Sequence, residues 1–166
     1  MSPHDHLAKL LLDRAGSLKL YARQWLDAAS AEDVLQDALT SLLAQRHAPT
    51  DPVAWMYRTV RNAAIDHARA SARRTRREKT IATNRPEWFT ESPDALLDAA
   101  TAERALRDLP ADTREIVILR IWADLNFAQI AEIAGMSLSA AHKKYTAALK
   151  QLRTTLETPC PNKTTT

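Results

Sequence analysis

Glycine is almost absent from this chain, and that scarcity restricts the fold more than any other feature of the sequence. Only Gly16 and Gly135 occur in 166 residues, whereas Ala, Leu, Arg and Glu are abundant. Tight turns and bulges depend on glycine, while Ala, Leu, Arg and Glu are strong helix formers. We therefore expect an all-α protein without a β-sheet.

Gly135 joins two short amphipathic segments in the stretch NFAQIAEIAGMSLSAAHKKYTAALKQL. Asn126 and Ser137 are preferred N-cap residues for the two segments, and Gly135 tolerates the positive φ that ends a helix. Apolar residues at helical spacing predict the inward faces. They are Phe127, Ile130, Ala131 and Ala134 in the first segment, and Leu138, Ala141, Tyr145, Ala148, Leu149 and Leu152 in the second.

This pattern is typical of a helix-turn-helix that enters a DNA groove with the start of its second helix. The residues predicted to face outward there, with the cap that precedes them, are Ser137, Ser139, Ala140, His142, Lys143 and Lys144. An ordinary helical hairpin in a bundle is the alternative, because small residues and a glycine hinge are normal there too.

Charge is distributed unevenly along the chain, although the net charge is only +3. Residues 58–79 contain eight basic residues against two acidic ones, and residues 80–103 contain one basic residue against five acidic ones. A basic stretch followed by an acidic, proline-containing one indicates a nucleic-acid surface that ends in a linker. A solvated basic helix end is the alternative.

Caps and breakers predict the remaining helices. We expect one or two helices over 6–26. The next helix should start at Ser30 and Asp33, which resemble a capping box, and run to about Gln45. A long helix should follow to about Lys79, with Asp51 as its cap and Pro52 as its first residue. Ser92 can cap a helix that runs to Leu109, and Asp112 or Thr113 can start the next. The helix that starts at Asp112 or Thr113 contains REIVILRIWADL, which is apolar on nearly all sides, so we expect it to form the core of the second half of the chain.

Several protein classes are disfavoured by the composition. Cys160 is the only cysteine, so an intramolecular disulfide or a cysteine-rich zinc site is excluded. No apolar run reaches the length of a membrane span, and the first residues lack the pattern of a secretory leader. We expect a cytoplasmic protein without membrane insertion, metal or cofactor.

Three stretches, in order, resemble the extracytoplasmic-function group of the sigma-70 family of RNA polymerase sigma factors. AEDVLQDALTSLLAQ is similar to the acidic helix by which the family binds the largest polymerase subunit. PVAWMYRTVRNAAIDHARASARR resembles the segment that melts and recognises the minus-ten element, and LPADTREIVILRIWADLNFAQIAEIAGMSLSAAHKKYTAALKQLR resembles the domain that reads the minus-thirty-five element.

The resemblance implies a role for specific residues. Core-polymerase binding falls to Glu32, Asp33, Gln36 and Asp37. Minus-ten DNA binding falls to His47, Thr50, Tyr57, Arg58, Arg61, Asn62, Asp66, Arg69, Arg73 and Arg74. For Tyr57, as for Trp55, core packing is an equal alternative to base contact. The outward residues of the helix-turn-helix are implied to bind the minus-thirty-five element. His142 and Ala140 depart from the family pattern there, so the base preference of the family cannot be transferred to this chain.

The resemblance implies two small helical domains and a non-enzymatic role. We expect a sigma region 2-like bundle over 1–79, a linker over 80–94, a region 4-like helix-turn-helix domain over 95–157 and a tail over 158–166. Core RNA polymerase and promoter DNA are the expected partners. Trp88 and Phe89 in the linker point to an anti-sigma factor as a further partner, with coverage by either half of the chain as the alternative.

Two functions from other classes compete with this prediction. A stand-alone transcriptional regulator would also use a helix-turn-helix, with the first half for dimerisation or sensing. His4-Asp5-His6 and Asp66-His67 could belong to a metal-dependent phosphohydrolase, because imidazole and carboxylate groups bind divalent metals. Few further His residues are present to complete such a site, which disfavours the enzyme.

Overall fold

The computed structural model describes residues 3–78 and 96–157, and every regular element in those ranges is a helix. This confirms the all-α prediction. The elements in chain order are α1 (Pro3–Ala22), α2 (Ala28–Leu43), α3 (Pro52–Glu78), α4 (Leu96–Arg107), α5 (Ala111–Ile121), α6 (Phe127–Ala134) and α7 (Leu138–Glu157). The predicted linker and tail, and with them Ser92, Trp88, Phe89 and Cys160, lie outside the described residues.

Helices α1, α2 and α3 pack against one another in the first half of the chain. Leu18, Tyr21, Met56 and Val60 are almost fully buried between them. The rings of Tyr21 and Tyr57 meet edge to face with centroids 5.4 Å apart, an arrangement that aromatic pairs favour. The centre of this bundle is therefore aromatic as well as aliphatic.

Helix α2 begins earlier than the sequence pattern predicts. Asp27, and not Ser30, is the N-cap residue, and its carboxylate accepts a 2.7 Å hydrogen bond from the Ser30 backbone N–H. That bond holds the pKa of Asp27 below its ordinary value. The helix ends at Leu43, whose side chain is exposed, and its buried stripe ends one residue earlier, at Leu42.

The start of α3 is as predicted. Asp51 accepts a 2.9 Å hydrogen bond from the Ala54 backbone N–H, and Pro52 occupies the first helical position. Proline suits this position because its missing N–H would have no partner within the helix. The helix is described to Glu78, one residue short of the predicted end.

Helix α5 is the core of the second half, as its apolar sequence predicts. Ile116, Val117, Ile118 and Leu119 are buried on successive positions around the helix. The helix begins at Ala111, before the predicted starts at Asp112 and Thr113. Asp112 instead lies in the first turn, where its carboxylate accepts a hydrogen bond from the Thr113 N–H.

The turn between α6 and α7 confirms the predicted caps. Asn126 and Gln129 form a reciprocal capping box, with side-chain to backbone distances of 2.9 and 3.0 Å. Gly135 ends α6 in the left-handed region at φ 68°, and Ser137 Oγ accepts a 3.1 Å hydrogen bond from the Ala140 N–H.

The inward face of α7 is narrower than predicted. Ala141 and Ala148 are buried, and Tyr145 and Leu152 are half-buried, but Leu138 and Leu149 are exposed. The two small alanines let α5 and α6 approach this helix closely, which leaves the flanking leucines outside the contact. On α6, Ile133 joins the predicted inward residues as a buried side chain.

The two halves also pack against each other. Helix α1 contacts α5, and α3 contacts α6. The buried side chains of both halves form one continuous cluster, which includes Leu18 on one side and Ile116 on the other. Contact with α1 adds to the packing of α6 and α7 around α5, which is therefore buried on most of its faces.

We predict that the two glycines respond to alanine in opposite ways. Gly135→Ala should destabilise the fold by about 1–2 kcal/mol, because a Cβ is unfavourable at positive φ even though no atom lies within 4 Å of it. Gly16→Ala, within α1 and equally uncrowded, should stabilise it by about 0.5–1 kcal/mol. Urea unfolding followed by circular dichroism measures both. If both variants changed the free energy of unfolding in the same direction, the different roles given to the two glycines would be contradicted.

Candidate nucleic-acid interface

An acidic face runs along α2 opposite its buried stripe. Glu32, Asp33, Gln36 and Asp37 are all exposed on it. Lys19 Nζ of α1 lies 3.0 Å from Glu32, so one of these carboxylates is partly neutralised within the first half. The remaining charge faces outward, which suits contact with a basic partner.

A second exposed face follows the length of α3. Asn62, Asp66, Arg69 and Arg73 succeed one another at intervals of four, three and four residues and are all exposed, as is the adjacent Arg74. This spacing places them on one side of a helix. We call Asn62, Asp66, Arg69, Arg73 and Arg74 the α3 stripe. It combines an amide, which can both donate to and accept from a base edge, with cations suited to phosphates.

Two predicted DNA-binding arginines of α3 lie against the second half of the chain. Arg58 Nη1 is 2.6 Å from Glu132 Oε1 of α6. Arg61 Nε donates to Glu115 Oε1 of α5 at 2.6 Å, and its Nη2 lies 3.4 Å from the other oxygen. Both guanidinium groups are therefore paired with carboxylates, and that of Arg58 is the more exposed of the two.

Glu115, which pairs with Arg61 at this contact, is a buried charged residue that the sequence did not single out. It is only 3% exposed, and it also accepts a 2.6 Å hydrogen bond from the Tyr21 hydroxyl. Burial, the charge of Glu115 and this hydrogen bond raise the pKa of Tyr21 well above its ordinary value, so the phenol stays protonated and donates. The hydrogen bond to Glu115 raises the pKa of Arg61 as well. The only sequence signal was an acidic residue near the start of the largely apolar segment REIVILRIWADL.

Tyr57 is a core residue, and its predicted base contact is wrong. Its ring is fully buried, and its hydroxyl lies 2.7 Å from Ser17 Oγ. A side chain without exposed surface cannot stack on a base, so the packing alternative holds. Trp55 is half-buried and packs against the same core.

The loop before α3 is also tied to the second half. His47 and Thr50 are exposed in it, while Asp51 Oδ2 accepts a 2.7 Å hydrogen bond from the Gln129 side chain of α6. Burial alone would raise the pKa of Asp51, but hydrogen bonds from Ala54, Gln129 and Val53 outweigh it and lower the pKa. The capping carboxylate is therefore shared between α3 and α6.

At the start of α7, the structure distinguishes the predicted outward residues. Ser137, Ser139, His142 and Lys143 are exposed, and Ala140 is half-buried. Lys144 Nζ donates to Asp112 Oδ2 of α5 at 2.5 Å, which also lowers the pKa of Asp112. The His142 ring lies 5.0 Å from that of Phe127, so it rests beside α6. Of the two adjacent lysines, Lys143 is the one fully available to a ligand.

The described residues contain neither a cluster suited to a metal ion nor a membrane-spanning helix. Within 3–78 and 96–157, no group of three His, Cys, Asp or Glu side chains is placed to hold a metal ion. None of the described helices has both the length and the apolar character needed to cross a bilayer.

Comparison with known proteins places both halves in one family. The sequence matches the family models "Sigma-70 region 2" over residues 12–74 and "Sigma-70, region 4" over residues 100–152. Two curated relatives are similar over most of their length. The ECF RNA polymerase sigma factor SigL of Mycobacterium tuberculosis is 29% identical, with 79% of this chain and 77% of that protein covered. The RNA polymerase sigma factor SigV of Bacillus subtilis is 27% identical, with 74% of each covered.

A solved structure has the same fold. The sigma factor RpoE of Bartonella quintana, in complex with the anti-sigma factor NepR, superposes with a TM-score of 0.68 over 94% of this chain and 99% of that one, at 21% sequence identity. With both sigma-70 regions present in order and the relatives agreeing, the chain belongs to the extracytoplasmic-function group of the sigma-70 family of RNA polymerase sigma factors.

Proposed function

We propose that this sigma factor divides promoter recognition among three exposed surfaces and catalyses no reaction itself. The acidic face of α2 docks on core RNA polymerase, the α3 stripe holds the melted minus-ten strand, and the start of α7 reads the minus-thirty-five element. Specificity is thus supplied to the polymerase, which performs the chemistry. We propose a cytoplasmic location because polymerase and promoter are found there.

The α3 stripe is the observation that carries this proposal. Opening a promoter costs a few kcal/mol for each flipped base, which contacts to the released strand must offset. Asn62 supplies a hydrogen-bonding amide near the middle of α3, and Arg69, Arg73 and Arg74 continue toward its C-terminus along the same exposed side. The Asn62 amide can therefore bind a base of the released strand while the arginines bind the phosphates of the same strand.

The acidic face of α2 supports the polymerase contact. Its carboxylates are exposed and lie on the helix side that the first-half core does not use. Charged patches of this kind steer association and fix orientation more than they add affinity. A basic surface on the polymerase is the complementary partner. An anti-sigma factor is a further proposed partner, supported by the complex of the Bartonella protein.

The central prediction is polymerase-dependent initiation. Purified chain and core polymerase together should yield discrete run-off transcripts from a library of promoter fragments, because neither component alone recognises a start site. Core polymerase alone is the control. A chain that binds fragments tightly but directs no initiation is instead a stand-alone regulator, and the proposed function is then wrong.

Asn62→Ala should impair strand opening while leaving polymerase binding intact, because the amide lies on the α3 stripe and not on the acidic face of α2. The lost base contact should lower the open-complex fraction about tenfold, as expected for a hydrogen-bonded base contact of about 1–3 kcal/mol. Permanganate reactivity in the bubble measures the fraction.

Gln151→Ala, which removes an exposed amide from α7, is the matched control and should leave the permanganate pattern unchanged. Normal reactivity in the Asn62 variant would remove that residue from the melted-strand site.

Lys143 and Lys144 should differ in their effect on promoter binding. Lys143→Ala should reduce the slope of log affinity against log salt by about 0.9, the value of one lost phosphate contact. Lys144→Ala should reduce it less, because Asp112 already pairs with that ammonium. Holoenzyme titrations at several salt concentrations measure the slopes, and Lys9→Ala, on α1, is the charge-matched control. Equal slopes for Lys143→Ala and the unmodified chain would exclude Lys143 from the interface.

A further inference from the structure

Phe127, the first residue of α6, lies at the centre of a group of side chains beside the start of α7. The centroid of the His142 ring is 5.0 Å from that of Phe127, with the two ring planes inclined by 54°. The Tyr145 ring meets Phe127 edge to face at 5.3 Å, and the Arg120 guanidinium carbon lies 5.5 Å from the Phe127 centroid. Ring pairs and cation–ring contacts at such distances are favourable. Phe127 is therefore held by side chains of both α5 and α7.

The Phe127 ring is a rigid support for its neighbours. Its backbone belongs to the first turn of α6, which the capping box of Asn126 and Gln129 fixes. The ring is half-buried and packs against the hydrophobic core. Arg120 is itself anchored, because its Nη1 donates a 3.0 Å hydrogen bond to the Leu125 carbonyl. A side chain that rests on Phe127 therefore has a restricted direction.

His142 is the exposed residue at the start of α7 that rests on this support. Lys143 is equally exposed, but its ammonium is at the end of a flexible four-carbon stem, which suits a phosphate. Lys144 is directed to Asp112 instead. Hydrogen bonds to the edge of a base weaken steeply when they are misaligned, so a base contact needs a side chain of fixed direction. His142 meets this requirement better than either lysine.

We propose that His142 contacts a base of the minus-thirty-five element and that Phe127 is its positioning residue. The Phe127 ring holds the imidazole so that one ring nitrogen donates a hydrogen bond to N7 of a purine in the major groove. Guanine and adenine both present N7 there as an acceptor, whereas cytosine and thymine do not. This inference rests on the proposed function, because it names the class of base that the start of α7 recognises.

The base preference of the holoenzyme tests the contact. On a promoter found by run-off transcription, each position of the minus-thirty-five element is varied through all four bases, and the transcript yield of every fragment is counted by sequencing. The unmodified chain should prefer purines at one position of one strand. His142→Ala should reduce that preference about fivefold, the effect of one lost hydrogen bond, and leave the other positions unchanged. An unaltered preference in this variant would overturn the proposal.

Lys143→Ala is the matched comparison, because it truncates the adjacent exposed residue of the same helix. It should lower the salt dependence of promoter binding, as predicted above, while the purine preference stays as in the unmodified chain. If it reduced the purine preference as much as His142→Ala does, the preference would not come from the imidazole, and the assignment of His142 would be wrong.

Phe127→Leu tests the positioning role, because it removes the ring and keeps an apolar side chain. It should reduce the purine preference about two- to threefold, as expected for one lost ring contact, and Phe127→Tyr should restore the preference. In the His142→Ala background, Phe127→Leu should reduce the preference no further, since it acts only through the imidazole. A further reduction there, or no recovery with Phe127→Tyr, would show that Phe127 does not act by positioning His142.

The exposed position of His142 keeps its variant folded even where Phe127→Leu disturbs α6, which circular dichroism detects. Transcription by the unmodified chain separates the two hypotheses. Initiation with a purine preference that His142→Ala does not alter refutes only the His142 contact, whereas the absence of initiation from every fragment refutes the proposed function.

Discussion

The arrangement of the whole molecule depends on one buried carboxylate. Glu115 lies in an apolar helix, where an unpaired charge would cost several kcal/mol. Tyr21 and Arg61, from α1 and α3, both donate to its Oε1 oxygen. Tyr21 is a suitable donor because its raised pKa keeps the phenol neutral, and Arg61 supplies the opposite charge. The second half can therefore bury the Glu115 side chain with its partners in place only while it contacts the first.

This contact divides the basic residues of α3 into two groups. Arg58 and Arg61, toward the start of the helix, are covered by carboxylates, while Arg69, Arg73 and Arg74 stay exposed farther along. The long helix extends past the second half, so its distal cations have no acidic neighbour from α5 or α6 in the described contacts. Charge counting along the sequence cannot distinguish these groups, because both belong to one basic stretch.

Local signals made much of the fold predictable. The Asn126 capping box, the Gly135 turn and the Asp51–Pro52 start each involve residues within four positions of one another, so the sequence contains the whole interaction. The start of α2 was mispredicted because Asp27 and Ser30 are both good caps, and pattern alone does not choose between them. Leu138 and Leu149 are exposed although their spacing placed them on the inward face of α7. Helical periodicity therefore predicts which side of a helix faces the core but not how wide the buried strip is.

Long-range pairing was the part of the site that the sequence could not supply. Glu115 and Tyr21 are separated by 94 positions, and the apolar surroundings of Glu115 predicted burial without indicating a partner. Burial of Tyr57 followed from the same packing of α3 against α1. The residues of the α3 stripe, by contrast, were named by the resemblance, and their intervals place them on a single helix face whatever that helix packs against.

The contact between the halves has two parts of different character. The Arg58–Glu132 pair keeps much of its surface in solvent, so salt screens it and it adds little. The Glu115 cluster is shielded from salt, yet separating the halves would return its carboxylate and its donors to water, and their hydration would offset much of the lost pairing. The net stability that these polar groups add to the contact is therefore a small difference between pairing and hydration.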